Sequence, residues 1–408
     1  MSTRLDLTHQ GLTRLPDDLP RDTEILDLSG NHLSDLPESL RRLDRLRIIF
    51  LSGNPLGRLP TVLGSLPHLT MIGAKSCGLT EVPAEALPPH LRWLILTDNT
   101  LTALPEALGQ RPALEKLALA GNHLTHLPNL RNCANLALLR LGANPLESLP
   151  TWLANLPRLA WLGFGGSPLT RAQEDQPRDL TAVPWDDLRL GEVLGQGASG
   201  IIHRADLRGQ SVAVKLFKGA ITSDGSPTSE QAAWIAAGPH AHRIGLLGRL
   251  EGHPQGVSGL IMPLVPPQFR RLGDPPSFAT CSRDTFPPDL RLDPLRVARI
   301  ARGFAEALAD LHARGLLHGD AYAHNVLEDG QGLALLGDFG AATFTDDRRY
   351  HAVEVRALAC LLDDLLERCS AGTVTDRLRH LQQACDAPTV SQRPTMAEAA
   401  ELLRSLTA

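Results

Sequence analysis

Through the first 170 residues the apolar positions follow one recurring template. The stretches "LDLSGNHLSDLP", "IFLSGNPLGRLP", "LILTDNTLTALP", "LALAGNHLTHLP" and "LRLGANPLESLP" superimpose, which brings Asn31, Asn54, Asn99, Asn122 and Asn144 into one column. Gln10, Cys77 and Ser167 fill the same column in weaker copies, and the successive spacings are 21, 23, 23, 22, 23, 22 and 23 residues. A period of this length predicts a solenoid in which each unit supplies a short parallel strand. Leu26 and Leu28, like Leu94 and Leu96, are the inward positions of that strand, and no unit hides such a face without its neighbours. An Asn amide in the column satisfies backbone groups in the bend after the strand, so Cys77 and Ser167 are expected to break the ladder.

The strand positions that alternate with the inward ones define the concave face of such a solenoid. They include Phe50, Met71, Trp93, Ile95 and Trp161. An apolar column of this kind predicts a docking patch for a protein partner or, equally, packing against another part of the chain. From 171 to 184 the repeat is lost in a polar stretch with two prolines, which predicts a linker.

The pattern changes after residue 185. "LRLGEVLGQGASGIIHRADLRGQSVAVKLFK" alternates as a strand, a Gly-rich turn, a second strand and a third strand ending at Lys215. Gly195, Gly197 and Gly200 let a backbone turn approach phosphates closely, and a Lys fifteen residues beyond Gly200 neutralises phosphate charge. "TSEQAAWIAAGPH" predicts a helix capped by Thr228 or Ser229, with Glu230 as the carboxylate for Lys215. An apolar strand, "GLIMPLVPP", and a helix, "DPLRVARIARGFAEALADLHARG", then lead to "HGDAYAHNVL". Thirteen residues past Asn325 comes Asp338-Phe339-Gly340.

Length and charge narrow the partners. At 408 residues the chain has room for two cores, and a net charge of -5 offers no electrostatic footprint for nucleic acid. The N-terminus has no apolar h-region and no run of about 18 apolar residues occurs, so a cytoplasmic protein with no membrane span is expected. Six cysteines without C-x-x-C spacing read as reduced thiols.

On these motifs, residues 1–170 resemble the leucine-rich repeat family, and residues 185–408 resemble the eukaryotic-like protein kinase family over their whole length. The resemblance implies two domains, an N-terminal α/β leucine-rich repeat solenoid and a C-terminal α+β bilobal kinase-like fold, joined by the linker 171–184. It further implies ATP and Mg2+ as cofactors. Asp320 would act on the acceptor hydroxyl, Lys215 on the phosphates, and Asn325 and Asp338 would hold the metal. Ile202, Ala213 and Leu327 would enclose the adenine, with Met262 as gatekeeper and Val265 offering its N–H in the hinge.

The chain departs from the family in instructive places. Gly319 stands where most protein kinases carry the Arg that reads a phosphorylated activation loop, and only 13 residues, 341–353, separate Gly340 from Glu354. Both changes point to activity that is not switched by activation-loop phosphorylation, although Thr343 and Tyr350 could still be modified. Glu354 is expected to replace the carboxylate that supports the catalytic loop, and Arg393 in "SQRP" keeps the family's late Arg. Tyr322 sits where Ser/Thr kinases place a Lys, and His324 where tyrosine kinases place an Arg. The whole is similar to leucine-rich repeat kinases with a non-Arg loop, a Ser/Thr-type protein kinase whose repeats recruit a partner. The "HGDxxxxN" frame also looks like aminoglycoside and choline phosphotransferases, and a pseudokinase scaffold is a third reading.

Overall fold

The computed structural model describes residues 3–407 apart from 198, 220 and 223, and divides into two compact units. The first comprises residues 1–159 with 167–169, and the second 160–166 with 170–408.

In the first unit seven three-residue strands follow one another: β1 (Arg4–Asp6), β2 (Ile25–Asp27), β3 (Ile48–Phe50), β4 (Met71–Gly73), β5 (Trp93–Ile95), β6 (Lys116–Ala118) and β7 (Leu138–Arg140). All neighbours pair in parallel, and the register sets Leu26, Ile49, Ile72, Leu94, Leu117 and Leu139 in one fully buried row. The Asn column works as a ladder. The Asn122 amide donates to Leu96 O and Leu119 O, both at 2.9 Å, and accepts from Leu101 N at 3.1 Å, so it ties its own repeat to the one before. Asn54, Asn99 and Asn144 do the same.

Cys77 does not simply break the ladder, because its thiol donates to Leu51 O at 3.2 Å while its own N–H donates to Asn99 Oδ1 at 2.9 Å. A thiol is a weak single donor where Asn supplies two N–H groups. Cys77→Asn should therefore stabilise the solenoid by about 1 kcal/mol, and Asn122→Ala should cost on the order of 3 kcal/mol by leaving buried backbone groups unmatched. Chemical denaturation of the two variants beside the wild type checks both signs.

The apolar column expected as a docking patch is not an exposed one. Met71 and Trp161 are buried, and Phe50, Trp93 and Ile95 are half-buried. Trp93 carries the Lys116 ammonium 4.5 Å above its ring.

An eighth strand, β8 (Trp161–Gly163), belongs to the second unit. Residues 171–184 hold more structure than a linker: they include the end of helix α1 (Pro168–Glu174) and strand β9 (Ala182–Pro184). Then come β10 (Leu188–Gln196), β11 (Gly200–Leu207), β12 (Gln210–Phe217), helix α2 (Pro227–Ala237), β13 (Gly248–Glu251) and β14 (Gly259–Pro263). They form a six-stranded sheet ordered β10-β11-β12-β14-β13-β9, antiparallel except where β9 runs parallel to β13. Val183, Val212, Val214, Leu250 and Ile261 make its core.

The rest of the unit is mainly helical. After β15 (Arg270–Arg271), helix α3 (Pro294–Ala313) is capped by Asp293, which accepts from Leu295 N and Arg296 N. Its Val297, Ile300, Phe304, Leu308 and Leu311 recur every three or four residues and are buried, as is Ala301 beside them. Short strands β16 (Leu316–Leu317), β17 (Val326–Glu328), β18 (Ala334–Leu336) and β19 (Thr343–Phe344) follow, with β17 paired to both β15 and β18, and β16 to β19. Helices α4 (Arg348–Leu366), α5 (Thr373–Cys385) and α6 (Met396–Thr407) complete it. Cys77, Cys133, Cys360, Cys369 and Cys385 are free thiols, and no helix among the described residues is long and apolar enough to cross a membrane.

Candidate active site

The Gly-rich turn joins β10 to β11, closed by Gly197 N donating to Gly200 O at 2.9 Å. The three glycines differ in their reason for being there. A Cβ on Gly200 would lie 2.6 Å from Leu216 O, so β12 itself excludes a side chain, whereas Gly195 and Gly197 have nothing within 4 Å. Space is left where a phosphate chain would approach. In the sheet behind, Ile202 pairs with both Gly195 and Lys215, and Ala213 pairs with Met262. Ala213 and Met262 are buried, while Ile202, Val265 and Leu327 are half-buried.

Lys215 is buried and lies between two carboxylates. It ion-pairs with Glu230 and meets Asp338 Oδ1 at 3.3 Å. Glu230 is in place because α2 begins at Pro227, one residue after its cap: Ser226, not Thr228 or Ser229, accepts from Ser229 N. Pro at the first helical position fixes that start. Burial alone would discharge Lys215, but Asp338 and Glu230 overcome it and raise its pKa. For Glu230 burial prevails over the attraction of Lys215 and pushes the carboxyl up to about 7. Burial also opposes ionisation of Asp338, yet Lys215 and the Gly340 N–H hold its carboxyl below the ordinary range. Asp338 sits in the left-handed region at φ 55, a conformation that costs a non-Gly residue energy and is retained chiefly where structure enforces it. Phe339 is part of that enforcement: its ring stacks on Trp234 of α2 at 5.1 Å and leans on His318 at 5.1 Å.

The loop at 318–325 is clamped from inside. Asn325 Nδ2 donates to Asp320 Oδ2 at 2.8 Å and to Asp320 O at 2.9 Å. Glu354 of α4, 2% exposed, accepts from Gly319 N at 2.6 Å, His318 N at 3.2 Å and His312 Nε2 at 2.8 Å. It stands in for a supporting carboxylate, as the sequence suggests. Burial works to neutralise Glu354, but His312 and the loop amides keep it ionised below the usual carboxylate range. Arg393 donates to Ala387 O at 3.0 Å and Ala352 O at 3.2 Å, bracing the start of α4, and burial pulls its pKa down to about 10. Gly337 N donates to Asn325 O at 2.9 Å, which sets Asp338 beside the loop.

Two contacts in this region join residues whose pairing no local motif records, although Trp161 itself lies in the apolar column that predicts docking or packing. Asp284, buried in an irregular stretch 40 residues upstream, accepts from His324 N at 2.9 Å and meets His324 Nδ1 at 2.7 Å. Burial disfavours the imidazolium, but Asp284 outweighs it and raises the His324 pKa. A raised histidine contributes stability below its unfolded value near 6.5 and loses it as pH climbs through the folded value. Asp284→Asn should therefore destabilise the protein more at pH 5.5 than at pH 8.5, as read from unfolding midpoints at the two pH values. The second contact is Trp161, whose ring stacks on Tyr322 at 3.9 Å and whose Nε1 donates to Ala321 O at 3.1 Å. Of the hydroxyl groups in the short segment, Thr343 and Tyr350 are buried, while Thr345 is half-buried and accepts from Asp347 N at 3.1 Å.

Comparison with known proteins bears on the family of each part of the chain. Residues 3–56 match the leucine rich repeat family model and residues 188–361 match that of protein tyrosine and serine/threonine kinases. A probable LRR receptor-like serine/threonine-protein kinase of Arabidopsis thaliana is 31% identical over 182 residues, 42% of this chain and 28% of its own length. The serine/threonine-protein kinase mos of Xenopus laevis is 28% identical over 168 residues, 40% of this chain and 43% of its own. The matches thus span less than half of either relative. With Lys215, Glu230, Asp320, Asn325 and Asp338 held as described, the chain joins leucine-rich repeats at its N-terminal end to a domain of the protein kinase family at its C-terminal end.

Proposed function

We propose that the chain is a MgATP-dependent phosphotransferase of the Ser/Thr protein kinase type, whose repeats recruit a protein partner or substrate. The observation that carries this reading is the paired support of the two charged centres: Lys215 between Glu230 and Asp338, and Asp320 held by Asn325. Charges of this kind are costly to bury where no ligand uses them.

The residues present fit a hard cation. Asn325 spends its amide nitrogen on Asp320, which leaves its carbonyl oxygen without a hydrogen bond among the described residues, and no donor is seen on Asp338 Oδ2. Those two oxygens would hold Mg2+, with phosphate and water oxygens completing its shell. Bound there, the ion would neutralise charge on the phosphates during transfer. Lys215 would bind and orient the α- and β-phosphates, and Asp320 would take or direct the acceptor's hydroxyl proton. Control by phosphorylation of the segment after Gly340 is not part of this reading: Gly319 replaces the charge-reading Arg, Thr343 and Tyr350 are buried, and a phosphate on half-buried Thr345 would have no Arg at 319 to read it.

That short segment also favours a second reading, a small-molecule acceptor, since it leaves little loop to cradle a peptide. Incubating wild type and Asp320→Asn with γ-labelled ATP and Mg2+, then separating protein-bound from small-molecule label, tests both. Label on Ser or Thr that the variant does not make supports the protein kinase. Absence of protein label together with an Asp320-dependent small labelled product supports the second reading, and absence of any Asp320-dependent label refutes phosphotransfer.

A further inference from the structure

Residues 160–166 close the last repeat in sequence, yet they belong to the compact unit that holds the catalytic loop. Their contacts there are specific. The Trp161 indole, 2% exposed, donates to the carbonyl of Ala321, the residue after Asp320, and lies flat on the ring of Tyr322, the residue after that, with 9° between the planes. Leu162 O approaches to 2.9 Å of where a Cβ on Gly319 would stand, and Ala341 O to 2.4 Å, with Gly319 at φ 73. No side chain, and so no Arg, fits between them. Further along, Gly163 lies close against Ala341 and Gly165 against Ala342, and Phe164 N donates to Thr343 Oγ1 at 3.1 Å. Residues 161–165 therefore cover both the catalytic loop at 319–322 and the chain just after Asp338-Phe339-Gly340.

We propose that strand β8 serves this kinase domain as a substitute activation segment, with Trp161 the positioning residue that holds Asp320 for phosphotransfer. The inference deepens the phosphotransferase reading and rests on it. It accounts together for three departures that are otherwise separate: the Gly at 319, the brief segment after Gly340, and an aromatic at 322 in place of a cation. The covering strand fills the space an Arg would need, supplies the packing a longer segment would give, and needs a flat ring beneath its indole. Stacking and the buried hydrogen bond act on adjacent residues, so both the height and the direction of the Asp320 backbone are set.

The test uses the full chain with Trp161→Phe and Trp161→Leu, and Val390→Ala as a core control for general loss of stability. Transfer from γ-labelled ATP and hydrogen exchange of the amides of 318–325 are read in parallel. Trp161→Leu is expected to lower kcat about 100-fold, the effect of roughly 1 Å of misplacement, with the KM for ATP unchanged. Trp161→Phe keeps the stack, loses the N–H bond and should fall between. Exchange should quicken within 318–325 in both variants and not in the control. Wild-type kcat in Trp161→Leu, or a loss no larger than that of a control equally lowered in melting temperature, overturns the inference. Should the wild type make no Asp320-dependent label, the phosphotransfer reading fails on its own, and exchange decides the positioning role: wild-type protection of 318–325 in Trp161→Leu refutes it, and selective loss sustains it.

Discussion

Replacing Asp320 by Asn is expected to lower phosphoryl transfer by roughly 100- to 10,000-fold while leaving the fold and MgATP affinity in place. The substitution preserves shape. Asn325 Nδ2 still finds an oxygen at 320, since the new amide turns its carbonyl toward the bond now made at 2.8 Å, and the backbone bond from the same nitrogen is untouched. What disappears is the carboxylate that, on the proposed function, accepts or directs the acceptor's proton. Lys215, Glu230 and Asp338 are unaltered, so the shift in melting temperature on adding MgATP should match the wild type. A rapid-quench measurement of label transfer, beside that thermal shift, separates a lost chemical step from a lost nucleotide.

The second large effect is structural as much as catalytic. Glu354→Ala should destabilise the kinase domain by about 3–5 kcal/mol, the usual cost of removing one partner from a buried charged network. Two buried amides, His318 N and Gly319 N, would lose their acceptor, and His312 its carboxylate. A domain of this size should melt on the order of 10 °C lower. Glu354→Gln should be milder, because one oxygen remains for Gly319 N. The pH dependence has a definite sign. Glu354 has a lowered folded pKa, so its contribution is present above the unfolded carboxylate value near 4.5 and fades as pH falls through the folded one. The gap in stability between wild type and Glu354→Ala should narrow only in acid, which thermal scans from pH 7 down to pH 3 would follow.

Features carried by residues close together in sequence were legible before any coordinates. The Asn column, the Gly-rich turn, the Asp320 to Asn325 spacing and Asp338-Phe339-Gly340 are all local, and each has one conformation that makes sense of it. Glu354 was also legible, since it opens the helical stretch from which the family's supporting carboxylate comes. The cap of α2 was missed by two or three residues: Ser226 precedes a Pro that starts the helix, and a Ser, Thr and Ser within four positions offer equivalent side chains. Cys77 reads as a gap in the ladder because a thiol offers one weak donor where Asn offers two, yet that one donor is used, on Leu51 O. Trp161 and Asp284 act across 160 and 40 residues of chain, and no local pattern records such a partner.

The Asn ladder has a consequence for how this chain changes over generations. Asn122 reaches only Leu96, Leu101 and Leu119, and Asn144 reaches only Leu119, Leu124 and its own bend. Beyond its own bend, each of these two Asn side chains therefore links only to the unit immediately before it, by the same atoms in both cases. Duplication or loss of one whole 22- or 23-residue unit in the middle of the array rejoins identical halves and orphans no buried group. Gain or loss of a fraction of a unit breaks every link at the junction. Solenoids of this design are thus free to lengthen and shorten in whole-unit steps, and relatives should differ by integral numbers of repeats while the spacing within each stays fixed.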